Sequence, residues 1–429
     1  MNLDAVMVNP CMKVSRFLLA FLLTVSGLAA QVNSRVQEIE EARDAKAATL
    51  EPDEPGKWER RLIYVKDAKL LERISAGVAG FRVQIGGMPT GSGFAVGPNY
   101  MRQDLARGKL TVNAFALVST REWVKLGGGA SIPRFYGDRL FWEGSAVYHN
   151  YNSLGYYGPG PDSQKTMRTN YAFEDTNLDT MLGVRVTPWL RAGGSIGFQH
   201  PNTGQGKNEL YASTERVFGG NPRVIGLREE VDYLRGGFFV ELDRRDNPGG
   251  PRAGSYVTMR WDYYDDRELK RHDFRRMDLE AQQYLPLFNK RRVIALRART
   301  VQTFTTEGQT LPFYQQSVIG GANDLRGFRP YRFYDNNSLV MNAEYRWEVF
   351  SGLDMALFAD AGQVTHDRWQ FKPKDLETAV GFGFRFNARN IPFLRLDVGF
   401  SHEGFQVFLK FNGPFAGRSL FSSSAPHIF

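Results

Sequence analysis

Apolar residues recur at every second position through the C-terminal third of the chain, and the two faces this creates differ in chemistry. Alternate residues of a strand point to opposite sides of its sheet. Over Leu339 to Val349 the set Leu339, Met341, Ala343, Tyr345, Trp347 and Val349 is apolar, while Asn342, Glu344, Arg346 and Glu348 share the other face. The pattern returns in Leu353 to Gly362 with Asp354 and Asp360 on the polar face, and in Val380 to Phe386 with Arg385 there. It holds again in Leu394 to Phe400 with Arg395 and Asp397, and in Phe405, Val407, Leu409 and Phe411, which face Gln406 and Lys410.

Eleven segments of strand character precede these five. They are Ala79 to Gly87, Leu110 to Ser119, Trp123 to Ile132, Leu140 to His149, Thr166 to Phe173, Thr180 to Val186, Leu190 to Gln199, Val231 to Asp243, Tyr256 to Asp265, Phe274 to Leu285 and Arg292 to Thr303. Gly91 to Tyr100 competes with Ala79 to Gly87 for the first place. Sixteen is an even number, as closed antiparallel bacterial barrels require. Connections after even-numbered strands are mostly tight, such as Thr187-Pro188-Trp189 and Phe350-Ser351-Gly352. Those after odd-numbered strands are long, such as His200 to Glu230 and Phe304 to Asn337. This asymmetry of short periplasmic turns and long extracellular loops belongs to transmembrane barrels. Two medium turns, Asn150 to Lys165 and Arg244 to Gly254, fall on the periplasmic side by the same parity.

Composition fits a chain that meets lipid through strands. It is 42% hydrophobic and 13% aromatic with 44 glycines, yet its mean hydropathy is −0.38. A soluble protein with so many aromatic strand faces would need a second sheet to cover them, whereas a barrel in lipid pairs every edge. The expected fold is all-β, a 16-stranded antiparallel transmembrane β-barrel over residues 79–413 with a short N-terminal helical segment, placed in the bacterial outer membrane.

The N-terminus reads as a secretory signal over residues 1–30. Lys13 and Arg16 precede the apolar run Phe17 to Val25, and Gly27-Leu28-Ala29-Ala30 supplies a small-residue cleavage site before Gln31. A membrane anchor is the competing interpretation, but the run is short of the roughly 20 residues a spanning helix needs. Met12 is an alternative start, which would exclude Cys11, the sole cysteine. Residues 31–78 form a charged linker and then an amphipathic segment with Trp58, Leu62, Leu70, Leu71 and Ile74 at helical spacing. That helix is expected on the periplasmic side, with a plug in the barrel mouth as the other placement. Residues 414–429 are a tail. Without residues 1–30 the chain keeps 52 basic residues against 45 acidic, a balance that argues against a nucleic-acid partner.

Enzyme chemistry finds little footing. Gly193-Gly194-Ser195-Ile196-Gly197 matches the nucleophile-elbow spacing, but that motif needs a strand turning into a helix and here lies within a strand. Six histidines are scattered without metal-ligand spacing. No catalytic residue, metal or cofactor is expected. The informative chemistry is on the loop Val318 to Asn337, where Leu325-Arg326-Gly327-Phe328 faces two strands that each place one acid, Glu344 and Asp360, on the polar face.

At Leu325-Arg326-Gly327-Phe328, at Phe358-Ala359-Asp360-Ala361-Gly362, and at Arg244-Arg245-Asp246-Asn247-Pro248 with Pro251 and Gly254, the chain resembles the outer-membrane assembly and translocation superfamily. This is the BamA, TamA and FhaC type, also called the bacterial surface antigen family. The resemblance covers roughly residues 79 to 413. It implies a sixth extracellular loop folded back into the lumen, with Arg326 engaging Asp360 and Glu344, Gly327 allowing a tight turn and Phe328 packing inward. It implies that the first and last strands pair weakly, and Gly87, Gly91, Gly93, Gly399 and Gly404 are compatible with a soft seam there. It implies insertion or translocation of polypeptides, or of lipid, at the outer membrane, with a passive diffusion channel as the alternative. Implied partners are outer-membrane lipid and lipopolysaccharide, the barrel-assembly machinery for the chain's own insertion, and a periplasmic partner or polypeptide client. That machinery would read the terminal strand Phe405, Val407, Leu409 and Phe411, or Phe429. The 48 residues from Gln31 to Val78 are too few for one periplasmic polypeptide-transport-associated (POTRA) domain of the kind the assembly branch carries.

Overall fold

The computed structural model describes residues 79–227, 229–388 and 391–411. The expected signal, the linker helix, the tail and Phe429 lie outside them. Contacts divide the chain into two units, and the larger, residues 66–286 and 290–429, carries nearly all of the sheet.

Sixteen antiparallel strands follow one another in chain order. They are β1 (Phe81–Ile85), β2 (Ala95–Asp104), β3 (Leu110–Ser119), β4 (Val124–Phe135), β5 (Leu140–Tyr156), β6 (Thr169–Thr187), β7 (Leu190–Gln205) and β8 (Tyr233–Asp243). Then come β9 (Gly254–Asp266), β10 (Phe274–Leu287), β11 (Arg292–Thr305), β14 (Asn337–Phe350), β15 (Leu353–Thr365), β16 (Glu377–Ala388), β17 (Ile391–Ser401) and β18 (Gly404–Lys410). A separate two-stranded ribbon, β12 (Ser317–Ile319) with β13 (Phe333–Asp335), sits inside the connection from β11 to β14.

The sequence count of sixteen survives through two corrections that cancel. Ala95–Asp104 is a full strand beside β1 rather than its competitor, and Thr166 to Phe173 with Thr180 to Val186 are parts of the single strand β6. With β2 restored, residues 157–168 connect an odd to an even strand, so this loop joins the long-loop end and not the short-turn end. Its contacts agree: Gly160 N donates to Tyr334 O at 2.7 Å, in the connection from β11 to β14. The connection 244–253 stays with the short turns.

β1 and β18 are the ends of the sheet, and no ladder joins them among the described residues. The connection after β1 touches the end of β18: Lys410 Nζ donates to Met88 O at 3.3 Å, and the rings of Phe94 and Phe411 lie 6.1 Å apart. Gly87, Gly91 and Gly93 are in the connection after β1, all with positive φ, so they serve a turn and not a weakened strand.

The two faces invert the arrangement of a soluble protein. Outward positions are apolar and open, with Ile196 63%, Phe405 64% and Leu182 53% exposed, whereas arginines and carboxylates are buried on the concave side. Water would not tolerate the first face, and a hydrocarbon solvent would. At the long-loop end, connections folded inward build an aromatic core from Tyr156, Tyr171, Phe218, Phe313 and Tyr334.

Ser195 and Ile196 are neighbours on opposite faces of β7, inward and outward respectively. Ile196→Lys should cost about 2–4 kcal/mol of stability in bilayers, the range for a cation near the midplane of a barrel's lipid face. Ser195→Lys should cost far less. Reversible unfolding in vesicles checks both.

Candidate functional site

The connection 306–336 is the sixth at the long-loop end, and its middle lies on the inner wall formed by β14 to β17. Leu325 and Phe328 anchor it in an apolar cluster with Ile319, Phe333, Val340, Val364 and Ala379. The wall is shaped for this. A Cβ on Gly362 would stand 3.2 Å from Leu325 and 3.3 Å from Ile319, so the missing side chain is where those residues pack.

Between these anchors Arg326, 2% exposed, points at the wall. Its backbone N and Nε donate to Asp360 Oδ2 at 3.0 and 2.8 Å, and a terminal nitrogen donates to Asp360 Oδ1 at 2.7 Å. The other terminal nitrogen donates to Glu344 Oε2 at 2.6 Å. This is the forked match of guanidinium to carboxylate that an ammonium cannot reproduce. The plane of the group lies 3.6 Å from the ring centroid of Phe358. That ring in turn occupies the space over Gly381, where any Cβ would collide with it.

Two glycines let backbone pass over backbone. A Cβ on Gly327 would fall 2.7 Å from Phe400 O and from Ala379 Cβ, and one on Gly399 would overlap the Arg326 carbonyl. Gly399 therefore belongs to the loop's seat on β17, which replaces its expected role in softening the seam. Gly404 opens β18 beside the turn, paired with Ser401 and with φ +116°. Ser401 Oγ donates to Gly327 O at 2.8 Å, fixing the same crossing.

The network is wider than one arginine and two acids. Glu344 also accepts from Arg346 Nε at 2.7 Å and from Arg385, whose terminal nitrogen is 3.1 Å away. Asp397 binds Arg385 and Arg395 at 2.5 and 3.2 Å, and Arg395 donates to Ala322 O of the loop at 3.0 Å. Asn342 joins both halves, donating to Asp360 Oδ1 at 2.8 Å and to Asp324 O at 2.7 Å. Arg297 donates to Asn323 O at 2.9 Å and pairs with Glu280 at 3.0 Å. Alternation had placed Arg346, Arg385, Arg395 and Asp397 on the inner face. Beyond Glu344 and Asp360, which the family motif pointed to, no sequence signal says which inward residue joins the network, because that depends on how the sheet curls across four strands.

Asp246, Asn247, Pro248 and Pro251 lie in the turn from β8 to β9 and Gly254 opens β9; Pro251 lines a small cavity with Arg346 and Arg385. Asp246 Oδ1 accepts from the backbone N of Asn247, Arg252 and Ala253 at 2.9–3.1 Å, and Lys290 Nζ donates to Oδ2 at 3.0 Å. Burial alone would raise its carboxyl pKa, but the Lys290 ammonium and these N–H donors outweigh that and hold it below the usual range. Gly254 takes φ +101°, where a Cβ would overlap Arg244 O. Arg252 makes two bonds of 2.8 Å to Asp354, tying the turn to β15. The motif is a turn device. Phe405, Val407 and Leu409 of the terminal strand all face outward, and Phe411 packs against Phe94 near Gly86. Ser195 lies on the inner face of β7, within a strand.

A family model described as the Omp85 superfamily domain matches residues 117–409. Among solved structures, the chain is similar to BamA from Haemophilus ducreyi lacking POTRA domains 1–3, with a TM-score of 0.57 at 15% identity. That likeness covers 77% of this chain and 70% of the other. It is also similar to CdiB from Escherichia coli, with a TM-score of 0.52 at 12% identity, covering 78% of this chain and 62% of CdiB. At such identities the likeness is one of fold. No curated protein matches by sequence.

Gly399→Ala should unseat the loop, costing about 1–3 kcal/mol as an overpacked contact, and should open 306–336 to protease in an otherwise folded protein. Asp246→Ala should cost about 1 kcal/mol in denaturant unfolding at neutral pH. Because the folded pKa of Asp246 is depressed, its contribution is present above the unfolded pKa and fades as pH falls through the folded one. The gap between wild type and variant should therefore narrow in acid.

Proposed function

The chain belongs to the Omp85 superfamily, and on that premise we propose that it closes as a barrel in the bacterial outer membrane and assists insertion or translocation of polypeptides there. Its loop 306–336 is the proposed gate, with Arg326 as the pin. The family and its BamA and CdiB neighbours support the membrane and the class of role. Short turns then face the periplasm and long loops the exterior.

The observation that carries the gate is the crossing of Gly327 over Gly399. It places the pinned loop on β17, whose hydrogen-bonded neighbour β18 ends the sheet. A strand at the end of a sheet offers unpaired backbone groups to an incoming strand. The same loop reaches the tip of that last hairpin. Arg332 Nε donates to Glu403 Oε1 at 2.8 Å, and from the separate connection 157–168 Lys165 Nζ also donates to Glu403 O. While Arg326 is seated, the terminal hairpin is held at both levels. Releasing the pin would leave buried Glu344 and Asp360 short of one cation, so the loop should not drift out at rest.

The test combines a cysteine at Val407 with Arg326→Ala. In living cells the cysteine should crosslink to a polypeptide client, and Arg326→Ala should change both that yield and the single-channel conductance in planar bilayers. Wild-type capture with unchanged conductance in the variant would remove the gate. A large, steady, solute-selective pore without capture would favour a passive diffusion channel.

A further inference from the structure

The two ends of the sheet differ sharply in charge, and the difference is in the connections themselves. At the short-turn end, residues 105–109, 136–139, 188–189, 244–253, 288–291 and 351–352 hold eight basic residues and two acidic. The long-loop end, with 86–94, 120–123, 157–168, 206–232, 267–273, 306–336, 366–376 and 402–403, holds sixteen basic and fifteen acidic. One end is balanced and the other is a cationic rim.

Three of the eight cations have structural duties: Arg245 pairs with Asp243, Arg252 with Asp354 and Lys290 with Asp246. The other five, Arg107, Lys109, Arg139, Arg244 and Arg291, are exposed. They come from four different turns, those after β2, β4, β8 and β10, so they extend along the rim from β2 to β11 and do not form one cluster. Aromatic rings accompany them. The Arg244 guanidinium lies 3.9 Å from the ring centroid of Trp189, Tyr136 is 83% exposed three residues before Arg139, and Tyr345 stacks on Trp347 at 5.7 Å on the outer face of β14. Aromatic side chains at the edge of an apolar band mark the boundary between hydrocarbon and water, and phosphate groups lie at that depth.

We infer that the short-turn rim binds the headgroups of anionic phospholipid in the leaflet it faces, as a charged annulus that fixes the depth of the barrel. The inference rests on the membrane reading proposed above. A single acidic protein would need the cations on one footprint. Lipid borders a long arc of the perimeter, and the five exposed cations are strung along the arc from β2 to β11. About 1 kcal/mol per basic residue near an anionic surface corresponds to roughly a fivefold preference for a charged lipid at each such position.

The experiment uses the full chain in nanodiscs of equal parts phosphatidylglycerol and phosphatidylcholine, with retained lipid counted by native mass spectrometry after detergent release. Phosphatidylglycerol should be retained at least about fivefold over phosphatidylcholine at low salt. The excess should collapse at high salt and in a variant carrying Arg107→Gln, Lys109→Gln, Arg139→Gln and Arg291→Gln. A companion variant, Lys207→Gln with Arg216→Gln at the other end, should keep the excess. Heat-modifiable migration on gels establishes that each variant is folded. Equal retention of the two lipids by a folded wild type overturns the annulus, as does an excess that survives the four-fold neutralisation. Salt-reversible binding of polyglutamate with no lipid preference would overturn it in favour of an acidic protein partner. A chain that folds in no bilayer would instead overturn the membrane reading beneath it.

Discussion

A charge cannot be left alone in a space without water, and the inner wall of this sheet is organised by that constraint. Arg326 brings a cation to a place already holding Glu344 and Asp360, and each of its N–H groups aimed at the wall finds an oxygen. Around it Arg346, Arg385 and Arg395 share Glu344 and Asp397, so that no acid on this stretch lacks a partner. A buried network of this kind adds little net stability compared with an apolar core. What it confers is position, because a forked donor and a planar acceptor meet well in only one arrangement. Glycines on both sides of the contact make the approach close enough for that arrangement to form.

Position matters because the loop so fixed touches the last hairpin of the sheet. Leu325 and Phe328 give it apolar anchors, Arg326 a polar one, and Arg332 a hold on the last hairpin. These contacts come from four different strands and two other loops. The network therefore reports on the curl of the entire wall, and a change in that curl would be felt at the arginine.

Much of this was legible in the alternation of residues. It separated outward from inward positions and put Glu344 and Asp360 on the inner face, while the docking of the loop arginine on them came from the family resemblance and not from alternation. What failed did so for physical reasons. β2 contains Gly97 and Pro98, which break the apolar rhythm, yet both are tolerated in a strand so near the sheet's end. β6 appeared as two strands because Glu174 to Asn177 is polar on both faces, although the ladder with β5 and β7 continues through it. There Asp175 and Asn177 are buried under inward-folded loops, while Glu174 points outward. Hydropathy records the solvent a strand meets, and a strand that outlasts the membrane changes solvent midway. The wider arginine network was invisible for another reason: its members are separated by many residues in sequence and joined only by curvature.

Strand length carries its own consequence. β5, β6 and β7 run for 17, 19 and 16 residues, while β1 has 5 and β18 has 7. A tilted strand needs about 9 to 11 residues to cross hydrocarbon. The wall is thus tall at β5 to β7 and low at its two end strands, and in the proposed membrane setting lipid beside those ends would compress to keep apolar groups covered. Each ångström of such mismatch costs a fraction of a kcal/mol, so a barrel closed through β1 and β18 would dimple the bilayer beside its shortest strands.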